Sequence, residues 1–125
     1  MATRTTLERQ AAERIGRRAE ALATLLLMVK GYRILARRYK SPVGEIDVIA
    51  RRGSTLIFAE VKRRGREDDA LIAVSATARR RIVRAADSFL ARHPRLAGLT
   101  LRYDILIVGP RRLPIHRVNA FRADD

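Results

Sequence analysis

Apolar residues recur along the first part of the chain at steps of three and four. Ala11, Ala12, Ile15, Ala19, Leu22, Ala23 and Leu26 fall on one stripe of a helix over Thr6–Val29. Glu13 and Arg17 sit one turn apart on its polar side, and Gly31 ends it. From Tyr32 the period shortens. Tyr32–Tyr39 reads as a strand, and Pro42 and Gly44 punctuate the segment after it. Glu45–Arg51 and Thr55–Lys62 read as two more strands, joined by a Gly53-Ser54 hairpin turn. Helical spacing returns over Asp68–Arg92, where Leu71, Val74, Ile82, Ala85, Ala86, Phe89 and Leu90 supply the apolar side. Pro94 and Gly98 close this helix. Strands over Leu99–Val108 and Ile115–Phe121 come next, with Pro110 and Pro114 between them. A helix, three strands, a helix and two strands point to an α/β or α+β architecture with a sheet between helices. No repeat or linker interrupts the pattern, and the 125 residues suit one domain spanning 1–125.

The hairpin carries the sharpest chemical expectation. If Gly53-Ser54 is the turn, Arg52 faces Thr55 across an antiparallel pair. Counting back, Asp47 then falls opposite Glu60, and Glu45 opposite Lys62. A symmetric four-residue loop gives the same register, whereas an odd-length loop shifts it. Alternation along regular strands would place these four residues in one polar square on one face. Two opposed carboxylates in an aliphatic sheet repel one another and resist desolvation, and a cation between them removes both costs. Oxygen-only ligands favour magnesium or manganese over zinc. Lys62 beside such an ion would stabilise charge developing on a phosphate oxygen, which is the chemistry of metal-assisted phosphodiester hydrolysis. The competing reading is an exposed strand face laced with salt bridges, Glu45 to Lys62 among them. Against it, the neighbouring runs Ile46, Val48, Ile49, Ala50 and Leu56, Ile57, Phe58, Ala59 are apolar enough to be buried on both faces.

Composition narrows the partners. Lys and Arg number 27 against 13 Asp and Glu, a formal charge of +14 that favours a polyanionic partner: DNA, RNA or an anionic membrane surface. The absence of cysteine excludes disulfides, thiolate zinc sites and a cysteine nucleophile, and fits a cytoplasmic protein. Leu25–Val29, the longest apolar run, is too short to span a bilayer, so no membrane role is expected. Two basic patches stand out as phosphate contacts: Lys62, Arg63, Arg64 and Arg66 around the end of the third strand, and Arg79, Arg80, Arg81 and Arg84 on the second helix. A solvated helix face is their plainer explanation. The scattered glycines form no phosphate-binding loop, and His93 and His116 have no partner at metal-ligand spacing. Asp104 shares a strand face with Arg102, which favours a structural pair. Tyr39 and Phe121 are assigned to the core.

The run Gly44-Glu45-Ile46-Asp47-Val48-Ile49-Ala50, a short hairpin, then Phe58-Ala59-Glu60-Val61-Lys62 resembles the YraN family. These are small bacterial proteins with a restriction-endonuclease-like fold, described as candidate endonucleases. Gly31 to Leu35 is similar to the family's segment before the motif, and Arg102-Tyr103-Asp104 and Asn119-Ala120-Phe121 to its late signatures, so the likeness covers nearly the whole chain. The resemblance implies an α/β, three-layer αβα core around a mixed five-stranded sheet. It also implies Asp47 and Glu60 as ligands of Mg2+ or Mn2+, Lys62 as the catalytic lysine, and Glu20 on the first helix completing the site. Archaeal Holliday-junction resolvases share this layout, which suggests branched or single-stranded DNA as substrate. Relatives of that fold also work as homodimers, although no interface is marked here. On its helix Glu20 lies just off the Ile15/Ala19/Leu22 stripe, at the core's edge; pairing with Arg17 or Arg18 on the surface is the alternative. Two positions depart from the family: Arg38, where asparagine is frequent, and Ala78, where a polar or basic residue is frequent, with Arg79 the nearest replacement. The rival to a nuclease is a non-catalytic basic module that binds nucleic acid, and a scaffold for a protein partner is a third reading.

Overall fold

A computed structural model of the chain describes residues 5–64 and 74–124. Helix α1 (Thr6–Val29) is followed by strands β1 (Arg33–Ser41), β2 (Gly44–Arg52) and β3 (Thr55–Arg63). Helix α2 (Ala76–Arg92), a short 3-10 turn at Pro94–Leu96, and strands β4 (Thr100–Val108) and β5 (Ile115–Phe121) complete it. The strands form one sheet in the order β1-β2-β3-β4-β5. Only β3 and β4 run parallel; the other neighbours are antiparallel. The parallel pair needs a crossover, and α2 lies on it. With α1 on one face and α2 on the other, the molecule has the three α/β/α layers that the resemblance implied.

Each element has a local cause. Thr5 and Glu8 form a reciprocal capping box that starts α1. Gly31 adopts φ +92°, and the Tyr32 amide reaches back to the Leu27 carbonyl to close the helix. The hairpin turn holds Gly53 at φ +60°, and Arg52 pairs with Thr55 as expected. Ser75 caps α2 by accepting from the Ala78 amide.

Two expectations are corrected. The second helix does not run from Asp68: Val74 is buried but not helical, and the described helix begins at Ala76. Residues 68–73, Leu71 among them, lie outside the described residues. The stripe on α1 is also rotated. Its buried face is Ala19, Glu20, Ala23, Thr24 and Leu27, while Ile15 and Leu22 remain 44% and 47% exposed. The small side chains at Ala19 and Ala23 let the helix lie close on the sheet, and this closeness decides the face over the larger aliphatics.

The core has two halves. Ala19, Ala23 and Leu27 cover Val48, Ala50, Ile57, Ala59, Leu106 and Val108. On the other side Ile82, Ala85, Ala86 and Phe89 cover Ile46, Ile49, Leu56 and Phe58. Tyr39 meets Phe89 edge to face, and Phe121 stacks on Tyr103, so both aromatics are core residues as assigned. At Gly44 the α2 backbone comes so close that a Cβ would collide with the Arg81 carbonyl.

Candidate metal centre

The β2–β3 ladder keeps the hairpin register from Arg52 opposite Thr55 to Val48 opposite Ala59. There it stops, although both strands continue. β2 stays with β1 to Gly44, and β3 stays with β4 to Arg63. The sheet therefore parts between β2 and β3 at the step of Asp47 and Glu60. Asp47 bridges the opening with its side chain: its Oδ2 accepts the Val61 amide at 2.8 Å, standing in for a strand carbonyl.

Alternation also breaks here. Ile46 and Ile49 lie three residues apart and would face opposite ways on a regular strand. Both pack on the α2 side, as do Tyr39 and Ala36 across from them. One half-step is lost in each strand between those positions, at Arg38 in β1 and Asp47 in β2. Arg38 has φ +52°, the left-handed region. The expected one-face polar square is thus corrected. Ala59 and Val61 pack toward α1, so Glu60 and Lys62 point toward α2. Asp47 stands at the break. It borders a hollow of about 480 Å³ with Glu20 and a smaller one of about 130 Å³ with Glu60.

Each glutamate has one oxygen engaged and one orphaned. Glu20 Oε2 accepts from Arg38 Nε at 2.8 Å, and Glu60 Oε1 pairs with Lys62 Nζ at 3.0 Å. Glu20 Oε1 and Glu60 Oε2 are buried without a hydrogen-bond partner among the described residues. Glu20 is 8% exposed, so it is a buried residue and not the surface glutamate of the plainer reading. The Asp47 carboxyl is pushed up to about 6, chiefly by burial. The Val61 amide opposes the shift, Glu60 and Glu20 add to it, and Lys62 opposes it.

This donor set fits a hard divalent cation. It is all carboxylate, it is short of hydrogen bonds, and its central member is burdened by negative neighbours. Among the described residues, however, no three acidic or histidine side chains converge closely enough to hold an ion as they stand. Glu20 and Glu60 are held toward Arg38 and Lys62 instead.

Cations surround the larger hollow: Arg17, Arg38, Lys40 and Arg63 line it together with Glu13, Glu20 and Asp47. Arg38, which the sequence marks only as a departure from the family, proves to belong to the site. It stands across from Asp47 in the ladder, but that register depends on an irregularity between Ile34 and Ala36 that no spacing reveals. Of the basic patches, Arg63 ends β3 and Arg64 follows it, both exposed, while Arg66 lies outside the described residues. Arg80 and Arg81 are exposed on α2, and Arg81 borders the hollow that holds Glu45 and Glu60. Arg79 turns back to the Val74 carbonyl at 2.9 Å.

A second polar group lies in the core. Asp104 is fully buried and accepts from Arg102 through both carboxylate oxygens, from the Asn119 amide and from His116 Nε2. Arg102 also reaches the Tyr32 hydroxyl. Burial pushes the Asp104 carboxyl up, but the His116, Arg102 and Asn119 hydrogen bonds outweigh it and hold the group below the usual carboxylate range. The structural pair expected for Asp104 is present, and His116 belongs to it. His93 sits at the end of α2 with Nδ1 on the Phe89 carbonyl.

A family model described as the uncharacterised protein family UPF0102 matches residues 19–108. A UPF0102 protein of Chelativorans sp. (strain BNC1) is 54% identical over 94% of this chain and 94% of its own. One from Methylorubrum extorquens (strain PA1) is 53% identical, covering 93% and 91%. One from Parvibaculum lavamentivorans is 51% identical, covering 90% and 84%. No helix among the described residues is long and apolar enough to cross a membrane.

Proposed function

The chain belongs to the UPF0102 family, and from that premise and the geometry of the β2–β3 opening we propose that it is a metal-dependent endonuclease acting on DNA. The observation that carries this reading is the pair of orphaned, buried glutamate oxygens flanking Asp47, whose own carboxyl is raised to about 6 by burial. Hydrogen-bond economy makes such a trio costly to keep in a folded protein without a cation to serve. Glu20, Asp47 and Glu60 would hold Mg2+ or Mn2+. A bound ion of this kind supplies Lewis acidity at a phosphodiester and favours hydroxide over water near neutral pH. Lys62, anchored on Glu60 Oε1, places an ammonium beside the opening to offset charge developing on a phosphate oxygen. Arg17, Lys40 and Arg63 around the hollow would seat neighbouring phosphates of the strand.

The net charge of +14 also supports a second reading, a basic module that binds nucleic acid without cutting it. A cleavage panel separates the two. Single-stranded, duplex, flapped and four-way-junction DNA are incubated with the parent chain and with Asp47→Ala, in Mg2+ and in Mn2+. The nuclease reading expects at least one DNA to be cut by the parent and none by the variant, with both binding DNA to a similar extent. A parent that binds every DNA and cuts none in either metal would leave the binding module as the account.

A further inference from the structure

Two arginine–carboxylate pairs among the described residues differ sharply in construction. Arg102 grips Asp104 through both Nε and Nη2, with the carboxylate fully buried and the arginine side chain 18% exposed. Arg38 touches Glu20 through Nε alone, and its side chain is 42% exposed. The first pair is a fixture of the core. The second is a single bond at the wall of a hollow, where water competes for the guanidinium and the net stabilisation is small. Nevertheless it is this weak pair that occupies one oxygen of the glutamate whose other oxygen is orphaned.

Arg38 is also held in a conformation that arginine does not favour, at φ +52°. That backbone step lies directly across from Asp47, where both strands lose their alternation. It turns the Arg38 side chain and the Asp47 carboxylate toward the same hollow under α1. Three further cations, Arg17, Lys40 and Arg63, line that hollow. With Arg38 these cations outnumber the acids of the hollow, Glu13, Glu20 and Asp47, by one, and a divalent cation on Glu20 and Asp47 would leave them in larger excess for an anion. The hollow therefore offers Arg38 a second partner, a phosphate, at the place where it would release Glu20.

We propose that Arg38 is a positioning residue that holds Glu20 in reserve: it neutralises the carboxylate in the metal-free protein, releases it to the divalent cation, and takes a substrate phosphate instead. This rests on the metal-site reading above. Metal loading and nucleic-acid binding are then linked through one side chain. Each event frees the partner that the other needs, so each strengthens the other. Among the described residues no three ligands converge, and Glu20 is turned to Arg38.

The test uses the full chain and Mn2+ alone, with electron paramagnetic resonance of free Mn2+ as the readout and no nucleic acid present. Arg38→Asn removes the cation but tolerates the left-handed backbone, and Arg38→Gly serves if the asparagine variant does not fold. Either should bind Mn2+ on the order of tenfold more tightly than the parent, because a competing positive charge is gone. Arg38→Lys should stay near the parent. With Mn2+ present, the salt dependence of DNA binding by Arg38→Asn should be shallower by about one phosphate contact, a slope change of roughly 0.9. A folded Arg38→Asn with unchanged or weaker Mn2+ affinity, alongside an Asp47→Asn control that loses Mn2+ binding, would overturn the role of Arg38 and leave the metal site standing. Mn2+ binding that is absent from all these chains, or indifferent to Asp47→Asn, would sink the metal site and this role with it.

Discussion

Asp47 carries its charge where the protein offers it little solvent. Burial is the largest cause of its raised pKa; the Val61 amide opposes it, Glu60 and Glu20 add repulsion, and Lys62 opposes the shift. The folded-state value of about 6 lies above the ordinary 3.8. Between those two pH values the folded chain holds a proton that the unfolded chain has lost, so stability falls as pH rises from about 4 to about 6 and then levels off. Asp47→Asn keeps an acceptor for the Val61 amide and removes the charge. Without metal it should be more stable than the parent at pH 7.5, by on the order of 2 kcal/mol. That advantage should fade to nothing near pH 4, where the folded chain carries the aspartate protonated. Urea melts in chelator at a series of pH values measure this. A variant that is less stable than the parent at pH 7.5 would mean that Asp47 is a favourable salt-bridge member and not a strained ligand. Asp104 is the opposite case: its hydrogen bonds hold its pKa down, so its contribution is present above pH 4 and is lost on acidification.

At the scale of elements, the site depends on how closely α2 lies on the start of β2. Gly44 has no room for a Cβ beneath the Arg81 carbonyl. Gly44→Ala should push helix and strand apart and cost about 2 kcal/mol, within the usual range for overpacking. A melting temperature equal to the parent's would show that the contact yields freely. Much at this scale is legible in the sequence. The bounds of α1 and β5, the hairpin register from Arg52 to Val48 and the element order all follow from periodicity and one glycine turn. The illegible remainder has a common physical source. The buried face of α1 escapes periodicity because Ala19 and Ala23 give a weaker hydrophobic signal than Ile15 and Leu22, yet permit the closer approach. The polar square fails because alternation assumes regular backbone, and Arg38 does not have it. The Asp104–His116 pairing joins strands whose register shifts between Tyr103 and Ile105, so counting along the chain cannot align them.

For the whole molecule, the excess of positive charge is spread over both helices and the strand ends, while the acids that matter are gathered at the sheet opening. Nucleic-acid affinity should therefore fall steeply with salt. Replacing Arg17, Lys40 and Arg63 together by alanine should flatten the log–log slope by up to about 3. Arg79→Ala should leave the slope nearly unchanged, since that guanidinium is turned to the Val74 carbonyl. Fluorescence anisotropy across a salt series reads both outcomes. If only the Arg79 variant moves the slope, the binding surface lies on α2 and not around the hollow.

The carboxylate that bridges β2 and β3 has a consequence for how this protein could drift. Asp47 serves the backbone as well as any ion, because the Val61 amide would otherwise be stranded at the parting of the sheet. A descendant that had given up all chemistry would still be selected to keep aspartate or asparagine there. Finding an acid at this position in a distant cousin thus attests to an intact sheet. Only its company, an acid on the first helix and the glutamate–lysine pair on the next strand, speaks to a surviving reaction.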